Sequence, residues 1–420
     1  MTAAVGLVLV GAELVEGRTQ DGNGAWLARR IAQEGATLAC WSVVPDIEHE
    51  IAAAVRAAAE RCALVFVSGG LGPTEDDRTR AGLARAAGVP LVEDEAAWRF
   101  VVDTLTRRGR EILPTQRRQA LVPQGARWFP NPVGSAPALS VRVGASEVLA
   151  LPGVPQELSA LFEAEGLPRL RALAGRVPTA LELLLTVGLS ETEVARRLGD
   201  LALSTEPAIG WYPHQGEVEV SILAHGPGAV ERARAAAAQA RGSLGDALLD
   251  VAPGERIEHA LVALLRAQGW QVVTAESITG GLIARMLTRV PGASAVFSAG
   301  FVTYDDAAKQ RDLGVPPALL ARCGALSAEV AVAMAEGARG RVGAACAVAT
   351  TGVAGPGDQS GPAGAVPAGT AFVAASVKGR PVRVEGVFVP LGRELVQRRV
   401  AVAALDLLRR SVLSLPSAPG

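Results

Sequence analysis

The sequence predicts two three-layer α/β domains with mostly parallel sheets, joined by a small α+β module. Three observations carry this prediction. A chain of 420 residues that is 49% hydrophobic is too long for one core and too apolar for disorder. Short, continuous apolar runs alternate with Ala/Arg-rich amphipathic segments over 1–165 and again over 256–412. Strands of that kind are buried on both faces, as in a parallel sheet covered by helices. The stretch 170–250 reads differently, with period-2 strands and two helices. The expected domains are 1–168, 169–252 and 253–413, followed by a disordered tail at 414–420.

In order, "VGLVLVG" reads as strand, "GNGAWLARRIAQEG" as helix and "TLACWSVV" as strand. "IEHEIAAAVRAAAERC" is helix and "ALVFVSGG" strand. In the middle, "ALELLLTVGL" and "GEVEVSILAHG" read as strands, and "SETEVARRLGDL" and "GAVERARAAAAQARGSLGDAL" as helices. "LDVAPGE" is the linker out. The last domain opens with a helix at 256–268, the strand "WQVVTAE" and the helix "GLIARMLTRV". The strand "CAVATTG" then enters a long Gly/Pro loop at 352–370, which reads as a lid. "TAFVAASV" and "VRVEGVFV" form a hairpin, and 393–411 is the closing helix.

Net charge is −1 with no basic stripe, so nucleic acid is not an expected partner. No apolar run approaches the ~18 residues of a membrane span. The N-terminus lacks a basic region and reads as a buried strand, not a signal peptide, so the chain is expected to be soluble and cytoplasmic. Cys40, Cys62, Cys323 and Cys346 form no CxxC pair and read as buried reduced thiols.

"VSGGLGPTEDDRT" follows a buried strand at its carboxyl end, where open α/β sheets bind ligands. Gly69, Gly70 and Gly72 let backbone N–H groups approach an anion. Glu75, Asp76 and Asp77 beside that cradle would repel a phosphate unless a hard cation lay between them. Asp46, after another strand, either reaches the same crevice or caps the following helix.

"TAESITGG" places Ser277 at a strand-to-helix turn, with Thr279, Gly280 and Gly281 after it. The N–H groups that start the next helix are expected to be free to hold an oxyanion or phosphate. Glycine is absent before the serine, so this is not the hydrolase elbow. A serine nucleophile needs a base. None of His49, His214, His225 and His259 lies in a Gly-rich loop or at the end of a buried C-terminal strand. Lysine, at Lys309 and Lys378 alone, is rare in a chain whose other 39 basic residues are arginine. A desolvated lysine can accept a proton and an arginine cannot. Lys309 is therefore either the base for Ser277 or a solvated helix residue. Tyr304 lies close enough in sequence to relay a hydrogen bond. Thr350, Thr351 and Gly352 open the second Gly-rich loop, and Arg393 could bind a phosphate.

Together, "GGLGPTEDD", "LPGVPQE", "AESITGG", "VTYDDAAK" and "TGVAGP" make the chain resemble the CinA (competence and damage induction) family over nearly its whole length. The resemblance implies an N-terminal domain like the MoaB/MogA molybdopterin-binding domains, with metal-dependent ADP-ribose pyrophosphatase activity. It implies a KH-like middle domain and a C-terminal nicotinamide mononucleotide (NMN) amidohydrolase, usually in a homodimer. By position, Ser277 matches the nucleophile and Lys309 the base, neutral at rest. Tyr304, Thr351 and Arg393 match residues around the substrate. Asp46, Asp76 and Asp77 match the N-terminal acidic positions, with Asp46 and Asp77 as ligands of magnesium or cobalt. No cofactor is implied for the C-terminal site. The chain departs from the family at Ile278, Val366, Gln397 and Ala138. The alternatives are a molybdopterin-binding module without hydrolysis and a non-enzymatic competence or recombination partner.

Overall fold

The computed structural model describes residues 4–175, 179–361 and 364–413. The tail expected at 414–420 lies outside them. The chain forms two compact units, Met1–Leu181 with Leu223–Ala233, and Glu182–Ile222 with Arg234–Gly420.

The first unit is built on a six-stranded sheet: Ala4–Val10 (β1), Thr37–Val44 (β2), Leu64–Ser68 (β3), Arg127–Phe129 (β4), Ala138–Val143 (β5) and Ser146–Leu151 (β6), in the order β2-β1-β3-β6-β5-β4. The β1–β2, β1–β3 and β3–β6 pairs are parallel, and β5 and β4 add antiparallel. Successive β1 residues feed opposite faces. Val8 and Val10 pack with Ile51 and Val55 of the helix Glu48–Ala59 (α2) and Leu83 of Thr79–Ala87 (α3), whereas Leu7 and Leu9 pack with Leu27 and Ile31 of Asn23–Gln33 (α1). Both faces are therefore covered, which is why β1 and β3 read as unbroken apolar runs. β2 was legible as a strand, but it is the sheet edge, with Trp41 44% exposed.

Thr179–Val187 (β7), Ala208–His214 (β8), Glu217–His225 (β9) and Leu248–Leu249 (β10) form a four-stranded sheet in the order β8-β9-β7-β10. The other sheet contains Val272–Glu276 (β11), Phe297–Val302 (β12), Cys346–Gly352 (β13), Thr370–Val377 (β14) and Arg383–Phe388 (β15), in the order β12-β11-β13-β14-β15. The first three strands are parallel, and β14–β15 is the expected antiparallel hairpin. Val272 faces Leu261, Ile283 and Val400, from Ile257–Gln268 (α4), Leu282–Thr288 (α5) and Arg393–Leu413 (α8). Val273 and Ala275 face Leu313 of Asp306–Leu313 (α6) and Val330 and Met334 of Ala328–Val342 (α7). The fold class is mixed α/β, with antiparallel strands completing parallel centres. Among the described residues, no helix is long and apolar enough to cross a membrane.

The thiols are all free. Burial pushes Cys346 up to about 12. Burial, helped by the neighbouring Cys40 sulfur, does the same to Cys62, also to about 12. The thiolate is the reactive form. Iodoacetamide should therefore label half-buried Cys323 well before Cys62 or Cys346 in the native protein, with all reacting after unfolding. Equal native rates by peptide mass spectrometry would contradict this.

Candidate active site

The parallel register aligns the carboxyl ends of three strands, with Glu276 of β11 opposite Val302 of β12 and Thr350 of β13. The ladder runs one residue further on each side: Ser277 N–H donates to the Thr350 carbonyl at 3.0 Å, and Thr303 N–H to the Glu276 carbonyl at 2.9 Å. Ser277 thus leaves the sheet at a switch point with strands on both sides. The chain then turns back through Gly280 and Gly281, at φ +60° and +96°, a region that strains side-chain-bearing residues.

The free helix-start donors expected after Ser277 are largely absent. The buried Glu276 carboxyl accepts from the N–H groups of Gly281 (3.0 Å), Ile283 (2.9 Å) and Ala284 (2.8 Å). The N–H groups of Ile278 and Thr279 have no protein acceptor among the described residues. Gln397 of α8 donates to the Ile278 carbonyl at 2.9 Å and ties the turn to the last helix.

Lys309 lies on α6, one turn in. Asp305 caps this helix by accepting from Ala308 N–H at 2.6 Å. The lysine is only 2% exposed, so it is not the solvated residue that was one of its two readings. Its Nζ lies 3.4 Å from Oδ1 of Asp306, which is half-exposed.

Ser277, Lys309, Tyr304, Thr351, Gly352 and Arg393 all line one cavity of about 900 Å³. No histidine lines it among the described residues. Thr351 donates its hydroxyl to the Ala325 carbonyl at 2.7 Å. Tyr304 is 62% exposed at the rim, 3.4 Å from an Arg393 nitrogen. Arg393 also donates to the Gly355 carbonyl, and the stretch expected as a plain Gly/Pro loop contains two short antiparallel strands, Gln359–Gly361 and Gly364–Val366. That loop contributes Gly355, Pro356, Asp358 and Val366 to the wall. Thr279, Gly280 and Gly281 do not line the cavity. Thr279 is buried and hydrogen-bonded to Thr350 at 2.8 Å, and the glycines form the turn.

In the first unit, Asp46, Gly69, Gly70, Asp76 and Asp77 line a cavity of about 450 Å³, with Glu13 beside them. Asp46 does not cap the helix that follows it; its Oδ2 accepts at 2.8 Å from the N–H of Ala12, the first residue of the short helix Ala12–Val15. Burial raises the Asp46 carboxyl, Ala12 N–H opposes that, and Glu13, Asp76 and Asp77 raise it further. Gly70 is required, because a Cβ there would sit 2.5 Å from Thr79 Oγ1. Gly72 does not line the cavity, and its N–H donates to Asp77 Oδ1 at 2.7 Å. Asp77 Oδ2 accepts from Thr74 N–H at 2.8 Å and from its hydroxyl at 2.5 Å. Both Asp77 oxygens are therefore engaged in shaping their own loop.

No three acidic, Cys or His side chains among the described residues gather closely enough to cage a metal. The donor set instead suits a hard cation shared with a ligand. Magnesium commonly takes one or two carboxylates plus phosphate oxygens. The mutual repulsion recorded on Asp46 is what such a cation would relieve. Were such a cation bound, Asp46 and Asp76, which line the cavity, would be the carboxylates available to it.

Three family models match the chain: "Probable molybdopterin binding domain" over 6–172, "Damage-inducible protein CinA KH domain" over 182–249 and "CinA C-terminal domain" over 254–412. A CinA-like protein of Anaeromyxobacter sp. is 40% identical over 411 residues, 97% of this chain and 99% of its own length. The chain belongs to the CinA family. A CinA-like protein of Myxococcus xanthus is 39% identical over 428 residues, covering 99% of this chain and all of its own. Among solved structures, the CinA protein of Thermoplasma acidophilum is 36% identical, with TM-score 0.37, and covers 40% of this chain and 98% of its own.

Four features of this CinA-family site escaped the sequence reading: the Glu276 cap, the Asp306 partner, the Asp305 cap and the Gln397 tie. A signal existed for Asp305, since an aspartate just before a helix is a preferred N-cap. The others depend on tertiary placement.

Proposed function

We propose that the C-terminal cavity hydrolyses the carboxamide of NMN to the carboxylate, releasing ammonia. The observation that supports this most is that two buried residues, Ser277 and Lys309, line one cavity at the carboxyl ends of parallel strands. Family membership points the same way.

In this reading Lys309 Nζ takes the Ser277 hydroxyl proton as Oγ attacks the carboxamide carbon. The developing oxyanion meets the N–H group of Ile278, which lines the cavity beside Ser277. Lys309 returns the proton to the departing nitrogen, the C–N bond breaks and ammonia leaves. Water, deprotonated by Lys309, then attacks the ester and restores Ser277. Gly355, Pro356, Asp358 and Val366, on the cavity wall, shield the ester from bulk solvent. Purified protein is expected to release ammonia from NMN under conditions in which an established deamidase does. Absence of release would sink the proposal.

A second reading is favoured by the acidic groups around Gly69 and Gly70: the N-terminal cavity binds a pyrophosphate ester such as ADP-ribose. A divalent cation there would neutralise the diphosphate and polarise its phosphorus. Asp46→Asn keeps a hydrogen-bond acceptor for Ala12 and removes one charge. It should abolish Mg²⁺- or Co²⁺-dependent AMP release from ADP-ribose. The sign of its stability effect follows from the raised carboxyl. A raised folded-state acid favours folding below that value and loses the benefit as pH rises through it. At neutral pH the ionised Asp46 opposes folding, so Asp46→Asn should hold or raise Tm. A lower Tm at neutral pH would contradict this.

A further inference from the structure

The cavity that holds Ser277 and Lys309 is poor in positive charge. Among the described residues lining it, the basic side chains are Lys309 and Arg393. Against them stand the carboxylates of Asp305, Asp306 and Asp358. Lys309 already faces Asp306 at 3.4 Å. Arg393 is braced between the Gly355 carbonyl and the Tyr304 hydroxyl. The run of helix-start N–H groups that could have cradled a phosphate is taken by Glu276.

A phosphate monoester carries a charge of about −1.5 to −2 at neutral pH, and sites that select one surround it with paired arginines, lysines or free N–H groups. Here it would meet one braced arginine, a lysine already facing Asp306, the single N–H of Ile278 and three carboxylates. The N-ribosyl pyridinium carboxamide without its phosphate is a plain cation, which the same carboxylates attract.

On the amidase reading above, we infer that this site also hydrolyses the dephosphorylated nucleoside, and about as well as the 5′-phosphate. The chemistry is unchanged. The carboxamide C–N bond breaks, a C–O bond forms from water, and ammonia leaves with the proton that Lys309 relays. No redox partner or phosphoryl acceptor is needed.

The test compares ammonia release from NMN and from nicotinamide riboside, using the full-length protein. The expected ratio of kcat/KM lies within about tenfold, a factor equal to about 1.4 kcal/mol. A preference for NMN beyond that overturns the inference and leaves the amidase reading standing. Release from neither substrate removes the amidase reading and the inference with it. A second arm adds the missing cation. Val366 is half-buried on the cavity wall. Val366→Arg should shift the ratio toward NMN by about tenfold, the size of one added charge-assisted contact. An unchanged ratio in this variant overturns the charge argument.

Discussion

Lys309→Arg is expected to lose NMN hydrolysis as completely as Lys309→Ala, by about 10²- to 10⁴-fold in kcat, the range a general acid–base contributes. The residue is buried, on a capped helix, and faces a cavity that also contains Ser277. A guanidinium supplies the same charge but cannot give up its proton. If Lys309 served only to attract an anion, arginine would preserve most of the activity. Folding is the competing explanation, because a larger head in a closed slot costs about 1–3 kcal/mol. Lys309→Met controls for it, being close in length, uncharged and unable to accept a proton. Removing the lysine leaves only Asp306 without its partner, and that carboxylate is 55% exposed. The methionine variant should therefore be inactive with a Tm close to that of the native protein, as read by circular dichroism. Substantial activity in the arginine variant would leave Lys309 as a charge and nothing more.

Glu276→Ala is expected to have the largest effect on stability. One carboxyl accepts three backbone N–H groups at the start of α5, and the residue is 1% exposed. Leaving a buried donor unsatisfied costs about 1–3 kcal/mol each, and partial relaxation brings the expected total to about 3–5 kcal/mol. For a unit of this size that lowers Tm by about 10 °C. Glu276→Gln should fall between the two, since its amide nitrogen cannot accept. The same carboxyl fixes the turn that aims Ser277, so amidase activity should fall along with Tm. A Tm within one or two degrees of native for Glu276→Ala, roughly a ΔΔG under 1 kcal/mol, would contradict this role.

The central strands were legible because burial on two faces leaves no polar positions: "LVFVS" and "VVTAE" could be read directly. The edge strand "FSAGFV" was not, because it alternates, contains glycine and is half-exposed. The strands β4, β5 and β6 were missed for a related reason: their antiparallel pairs, β4–β5 and β5–β6, are joined by turns and not by helices.

Within the site, Ser277 and Lys309 were legible from residue type and scarcity. The hydrogen-bond bookkeeping around them was not. Nothing in "AESITGG" says that its glutamate turns forward to take three N–H groups. That follows from the chain doubling back at Gly280 and Gly281. Asp77 shows a second arrangement that residue type does not reveal. An acidic residue beside a glycine cradle suggested a metal ligand, yet its oxygens close their own loop on Gly72 and Thr74. Local side-chain-to-backbone bonds of this kind compete with ligand binding for the same lone pairs.

The most direct test of the account is the yield of ammonia from NMN by the wild-type protein and by Ser277→Ala under identical conditions. The account predicts ammonia equimolar with nicotinic acid mononucleotide from the wild type. It predicts a loss of at least about 10⁴-fold in the variant, the scale on which a catalytic nucleophile is missed. Ammonia release that survives Ser277→Ala would show that the carboxamide is attacked by something other than this serine, and the mechanism would fall.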